Sequence, residues 1–292
     1  MFLKTKSLLS KSLIVAASTL FFAACGGDSN KEAEEVTNAV TIDSTAVAEV
    51  PTTSYSLPSP LQIASIFKKS GLKFKDGLTN GEKDPSIYAT NMSKSINLGV
   101  YSADLSYCVL NKQSQQAMNY IKLARTLADN LGMGSVFEEG NLLKRFEKNL
   151  GNEDSLAYII AELQMVTDMY LDENDQQQIT SLVFAGAWVE SMYIGSKVFE
   201  KGKEQGLSNK LAEQMNILGS IVNALKVEEK KDAGITGLIA DLNVIKDVYD
   251  GLGSVKAASA KTDNEDIPML TNDELAQLSA KIEVLRNKFV KG

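Results

Sequence analysis

From residue 58 to residue 292, large apolar side chains recur every three or four positions, and most of these stretches open on Ser, Thr or Asp and close on Gly. A period near 3.6 behind an oxygen-bearing cap marks an amphipathic helix, because the cap side chain satisfies N–H groups that the first turn leaves open. Ser59-Pro60-Leu61-Gln62 and Thr271-Asn272-Asp273-Glu274 have the capping-box form. Ser135 through Glu138 has the same form ahead of VFEEGNLLKRFEKNL, and Asp84-Pro85 opens a segment that runs to about Leu110. Further periodic segments cover 114–130, 153–171, 175–202, 208–229 and 235–251, with 252–270 read as a loop. No run alternates with period two, and no fixed-period repeat is present. The expected fold is therefore all-α: a compact bundle of about nine helices, as one body or two helical halves, with no significant sheet.

Two segments should be central. Around 95–110 and 179–195 the apolar residues occur at nearly every helical angle, and a helix that is apolar all round is buried. Each also carries small residues at i, i+4 spacing, Ser95, Gly99 and Ala103 in one and Ala187, Ser191 and Gly195 in the other. Such stripes let two backbones approach closely, so these helices are expected to be neighbours.

The polar residues inside the same two helices are the candidates for a site. Asp104 lies between Tyr101 and Tyr107 with Asn97 two turns back, and Glu190 lies among Trp188, Met192 and Tyr193. A carboxylate in apolar company is either paired or pushed up in pKa. One expectation is a structural polar contact with Lys122, Arg125 or a tyrosine. The other is a ligand pocket lined by Asn97, Tyr101, Asp104, Tyr107, Trp188, Glu190 and Tyr193, in which paired carboxylates can also do acid–base work.

The first 24 residues differ from the rest. Lys4, Lys6 and Lys11 precede the run SLIVAASTLFFAA (12–24), which is too short for the roughly 20 residues of a membrane-spanning helix. A basic stretch, a short apolar run and small residues together form a secretory leader. Phe22-Ala23-Ala24-Cys25 resembles the lipobox of bacterial lipoproteins, with Phe22 where that family usually has Leu. The resemblance implies a leader over 1–24, cleavage before Cys25, and diacylglyceryl and acyl groups on Cys25. Two or more acyl chains, at about 0.8 kcal/mol per buried methylene, make a stable anchor. It further implies a protein of the bacterial cell envelope, on the outer membrane facing the periplasm or the cell surface. Residues 25–57 are rich in Ala, Thr, Ser and acids and poor in large apolar side chains. They read as a flexible acidic tether of roughly 30 Å r.m.s. span. The folded part is then 58–292. The abundance of lysine over arginine and the acidic tether resemble lipoproteins of Bacteroidota.

Composition excludes several chemistries. The chain contains no histidine, so Ser-His-Asp and Cys-His arrangements and histidine zinc sites are ruled out. Of two cysteines, lipidation of Cys25 would leave Cys108, too few for an internal disulfide. Cys108 lies in an apolar helix and reads as a small buried hydrophobe. The formal charge is −7, and about −10 without Lys4, Lys6 and Lys11, which disfavours nucleic acid as a partner. Arginine occurs at 125, 145 and 286 alone, which weakens phosphate-ligand readings. Gly132-Met133-Gly134 and Gly251-Leu252-Gly253 follow helices and read as helix stops. LDENDQQQIT (171–180) lacks the glycine and closing glutamate of a calcium loop, and Asp175 with Gln178 reads as a helix start. DNEDIP (263–268) reads as a solvated loop. No metal, cofactor or catalytic residue is expected. The expected function is non-enzymatic binding or scaffolding of a partner protein or small ligand by a membrane-anchored bundle. The alternative is an extracytoplasmic hydrolase or carbohydrate-active enzyme using Asp104 and Glu190.

Overall fold

The capping signals translate directly into helix starts. In this computed structural model, which describes residues 57–199, 205–228, 232–260 and 267–292, the elements are helical and the described residues contain no strand. Cys25, the leader and the tether lie outside the described residues, as does most of the 263–268 segment. The helices are α1 (Pro60–Lys69), α2 (Asn91–Leu110), α3 (Ser114–Asn130), α4 (Ser135–Glu138), α5 (Leu142–Lys148) and α6 (Glu153–Glu173). They continue as α7 (Gln177–Val198), α8 (Gln205–Glu228), α9 (Ala233–Gly251), α10 (Gly253–Ser259) and α11 (Asn272–Val290). The all-α expectation holds. Two of the three expected capping boxes form, with Ser59 accepting the Gln62 N–H at 3.2 Å and Thr271 accepting the Glu274 N–H at 3.3 Å.

Local readings fail at four places, each for a physical reason. The expected helix over 136–150 breaks into α4 and α5 because Gly140 and Asn141 are both left-handed (φ 58° and 54°), a conformation that Gly and Asn tolerate best. Ser135 is thus the first helical residue of α4 and caps nothing. Asp84 caps only a 3-10 turn over Pro85–Ile87, and α2 starts afresh behind Thr90, whose hydroxyl accepts the Ser93 N–H at 3.0 Å. Asp175 does not start α7. It occupies the left-handed position that ends α6 (φ 55°), with Gln176 N–H returning to Leu171 O at 2.8 Å, a Schellman closure. Residues 253–259 form α10 rather than loop, because Leu252 and Val255 are buried and Glu274 of α11 accepts from Ser254 at 2.6 and 2.8 Å.

The two central helices lie against each other. A Cβ added to Gly99 would stand 2.0 Å from Val183 O and 2.8 Å from Ala187 N, and one added to Gly186 would stand 2.0 Å from Ile96 O. The backbones of α2 and α7 therefore touch, and only hydrogen fits between them at these points. Gly195, part of the expected stripe, faces elsewhere, against Phe67 of α1 and Leu211 of α8. The α2–α7 pair divides the apolar residues into two clusters. One gathers α1, α7, α8, α9 and α11, and the other gathers α3 to α6 against the opposite side of α2.

Candidate functional site

The buried polar residues of α2 and α7 converge. Glu190 is fully buried, and Arg286 of α11 reaches it as a fork, Nε to Oε2 at 2.9 Å and Nη2 to Oε1 at 3.0 Å. The guanidinium also lies over the ring of Tyr193, 4.6 Å from its centroid. Such a two-pronged, stacked geometry is specific to arginine. Glu190 therefore pairs with Arg286, while Arg125 is taken up by Asp129 one turn along α3.

Asp104 is also fully buried. Its Oδ2 accepts the Asn80 N–H at 3.0 Å, and its buried Oδ1 meets no ordinary donor. The Glu190 carboxyl lies close enough to act on it electrostatically. Two neighbouring carboxylates repel, which disfavours charge on both at once. Burial, and then the Glu190 charge, push the Asp104 carboxyl well above its usual range. Burial also raises Glu190, against the pull of Arg286. Both effects favour a neutral Asp104 beside a Glu190 that is paired with Arg286. Lys83 sits at the edge, its Nζ donating to Val290 O and its pKa lowered by burial and by Arg286.

The other residues expected near these carboxylates mostly hold a strap, the segment 71–90 between α1 and α2. Tyr107 Oη donates to Lys73 O at 3.1 Å and accepts the Lys75 N–H at 2.7 Å. Tyr101 Oη donates to Gly81 O at 3.3 Å, and Tyr120 of α3 donates to Asn80 O at 3.0 Å. With Asp104 on Asn80, these bonds fasten the strap along one face of α2, and burial pushes the Tyr107 phenol up to about 12. Asn97 spends its amide on Ser93 O and Phe289 O, both at 2.9 Å, which ties α2 to the end of α11. Trp188 points away from the carboxylates, its Nε1 donating to Gln214 O of α8 at 3.2 Å. Structure thus brings Asp104, Glu190 and Tyr193 together around Arg286, uses Asn97, Tyr101 and Tyr107 as ties, and sends Trp188 to a different helix. Cys108 is fully buried, and burial raises its thiol.

Open space lies on the opposite side of α2. A crevice of about 40 Å³ lies between α2 and α6, lined also by the start of α1 and by α7. Its walls are mostly apolar, including Leu98, Leu105, Ile160, Leu163 and Phe184, with Ser102 and Ser106 of α2, Gln164, Thr167 and Asp168 of α6 and Thr180 of α7 as polar lining residues. Small residues create it: Ser102 and Ser106 on α2 and Ala124 and Ala128 on α3 leave volume that the side chains of α6 do not fill. The 3.6-residue pattern treats a serine and a buried leucine on one face alike, so only the spacing Ser102-Ser106 hinted at this wall. Among the described residues no cluster of metal-ligating side chains occurs, and no helix is long and apolar enough to cross a membrane. The chain matches no protein-family model, no curated protein sequence and no solved structure.

Proposed function

We propose that this chain is a lipid-anchored, extracytoplasmic helical binding module, held to the bacterial envelope through Cys25 and offering the α2–α6 crevice to a small ligand. The anchor rests on the lipobox-like Phe22-Ala23-Ala24-Cys25 behind a basic, short apolar leader. Binding rests on one observation, the largely apolar crevice whose lining includes Ser102, Ser106, Gln164, Thr167, Asp168 and Thr180. Apolar walls with a few converging polar atoms are the usual composition of small-molecule sites. The buried carboxylates give the hydrolase reading no support, because Asp104 and Glu190 are both 0 % exposed.

A protein partner is favoured by a separate feature of the same helix. The outer face of α6 presents Tyr158, Met165 and Met169, each more than half exposed. Flexible methionines suit adaptable contact surfaces.

Metabolic labelling with a fatty-acid probe tests the anchor: label and membrane association are expected for the natural chain and lost in Cys25→Ala. Native mass spectrometry of the purified protein tests the crevice. A co-purifying small molecule is expected to disappear in Ser102→Leu, whose larger side chain fills the space. A ligand retained by that variant places binding elsewhere.

A further inference from the structure

The outer face of α6 is apolar in the middle and acidic at both ends. Tyr158, Ala161, Met165 and Met169 are all exposed and follow one another at spacings of three and four, so they line one side of the helix. The stripe is roughly 16 Å long, about three turns at about 1.5 Å per residue. Asp154 extends it one turn ahead of Tyr158, and Asp172 and Glu173 follow Met169, all three exposed. No lysine or arginine occurs in α6. Among the described residues no cation pairs with Asp154, Asp172 or Glu173, whereas Glu162 on the flank is taken by Arg145 at 2.7 and 2.8 Å. The face thus has an apolar centre that can exclude water and a charged rim that sets the sign of what docks there.

That pattern selects the occupant. A second copy is disfavoured, because acids cap both ends of the stripe and would meet acids whether the two helices ran parallel or antiparallel. Residues 25–57 of the chain carry six acids against one lysine and are repelled in the same way. An extended strand gains little, because the side of a helix offers no free backbone groups for it to pair with. Another helix can pack its side-chain ridge against that of α6, provided that its ends are basic.

We propose that the outer face of α6 docks a basic amphipathic helix of a partner protein, apolar residues on Tyr158, Ala161, Met165 and Met169 and lysine or arginine on the carboxylates at both ends. This rests on the reading of that face as a protein contact, and it names the chemistry of the partner.

The experiment is fluorescence anisotropy of the full chain at pH 7 with three labelled peptides of about 22 residues, long enough to reach both acidic ends. The first has leucines at spacings of three and four over its middle turns, alanine and glutamine elsewhere, and lysine pairs at both ends. The second has glutamates in place of the lysines, and the third keeps the lysines but scatters the leucines around the helix. The first is expected to bind at least about tenfold tighter than either other, which for the charge is about 1.4 kcal/mol shared between the two ends. In Met165→Gln it is expected to weaken about tenfold, and in Asp154→Lys/Asp172→Lys its advantage over the glutamate peptide is expected to vanish. Equal binding of lysine and glutamate peptides that Met165→Gln abolishes overturns the basic partner and leaves the face as a contact. A lysine preference that survives the aspartate reversal does the same. Self-association of the natural chain in sedimentation velocity, abolished by Met165→Gln, assigns the face to a second copy and also overturns the basic partner. No binding by any peptide, or full binding by Met165→Gln, overturns both the partner chemistry and the face. Asp154, Met165 and Asp172 are exposed, so their replacement leaves the core intact.

Discussion

Gly99→Ala puts two opposed effects on one helix and predicts which wins. Ala is favoured over Gly inside a helix by about 0.8–1 kcal/mol, so the local effect stabilises. The new Cβ, however, would stand 2.0 Å from Val183 O and 2.8 Å from Ala187 N. A carbon and a carbonyl oxygen need about 3.3 Å or more, so α2 and α7 must separate by more than about 1 Å. Backbone cannot swing aside as a long side chain does. A radial gap of 0.5–1 Å already forfeits a quarter to a half of each dispersion contact, and α2 and α7 lie together in the centre of both apolar clusters. Overpacking of this kind costs about 1–3 kcal/mol or more. The expected net change is destabilisation of about 2 kcal/mol, or a Tm lower by about 4–8 °C for a domain of this size. Gly237→Ala in α9 is the matched comparison, because a Cβ there meets nothing within 4 Å. It should raise stability by about 0.5–1 kcal/mol. Urea unfolding followed by far-UV circular dichroism reads both. If Gly99→Ala proves as stable as the natural chain, the close backbone approach is absent and the reasoning fails. Gly186→Ala should cost as much alone, and less than additively in combination, because one separation of the helices relieves both clashes.

Arg286→Met should cost about 3–5 kcal/mol by leaving Glu190 charged and buried, and Glu190→Gln in the same chain should recover most of it in chemical denaturation. Asp104 has a raised pKa, so its contribution is fully present below the unfolded value near pH 4 and is lost as pH rises through its folded value. Asp104→Asn keeps an acceptor for Asn80 without titrating, so its stability relative to the natural chain should improve as pH rises above about 4; a pH-independent difference contradicts the raised Asp104 pKa. Glu274 shows the reverse sign: burial alone would raise it, but hydrogen bonds from Ser254 and Thr271 hold it down at about 2. Its stabilisation is therefore present above pH 4 and lost as pH falls through about 2, and Glu274→Gln should flatten that part of the acid-unfolding curve. Cys108 should resist a thiol reagent in the native protein and react at the rate of global unfolding.

Sequence alone determined the helical class, the caps at Ser59 and Thr271, the stop at Gly132, and the burial of α2 and α7. These are local properties: a cap reaches three residues along the chain, and a 3.6-residue period reports one helix's own surface. The same reasoning missed the break at Gly140–Asn141, where apolar spacing continues through two left-handed residues, and missed α10, whose anchor is Glu274 on another helix. Tertiary structure alone decided that Glu190 would meet Arg286, 96 residues away, and that Asp104 would hold the strap through Asn80. No local signal encodes such a pairing, because it depends on which side chains converge once the helices are assembled. The crevice is more remote still from the sequence: it is volume left over where α2, α3, α6 and α7 meet, a difference between side-chain sizes on separate elements.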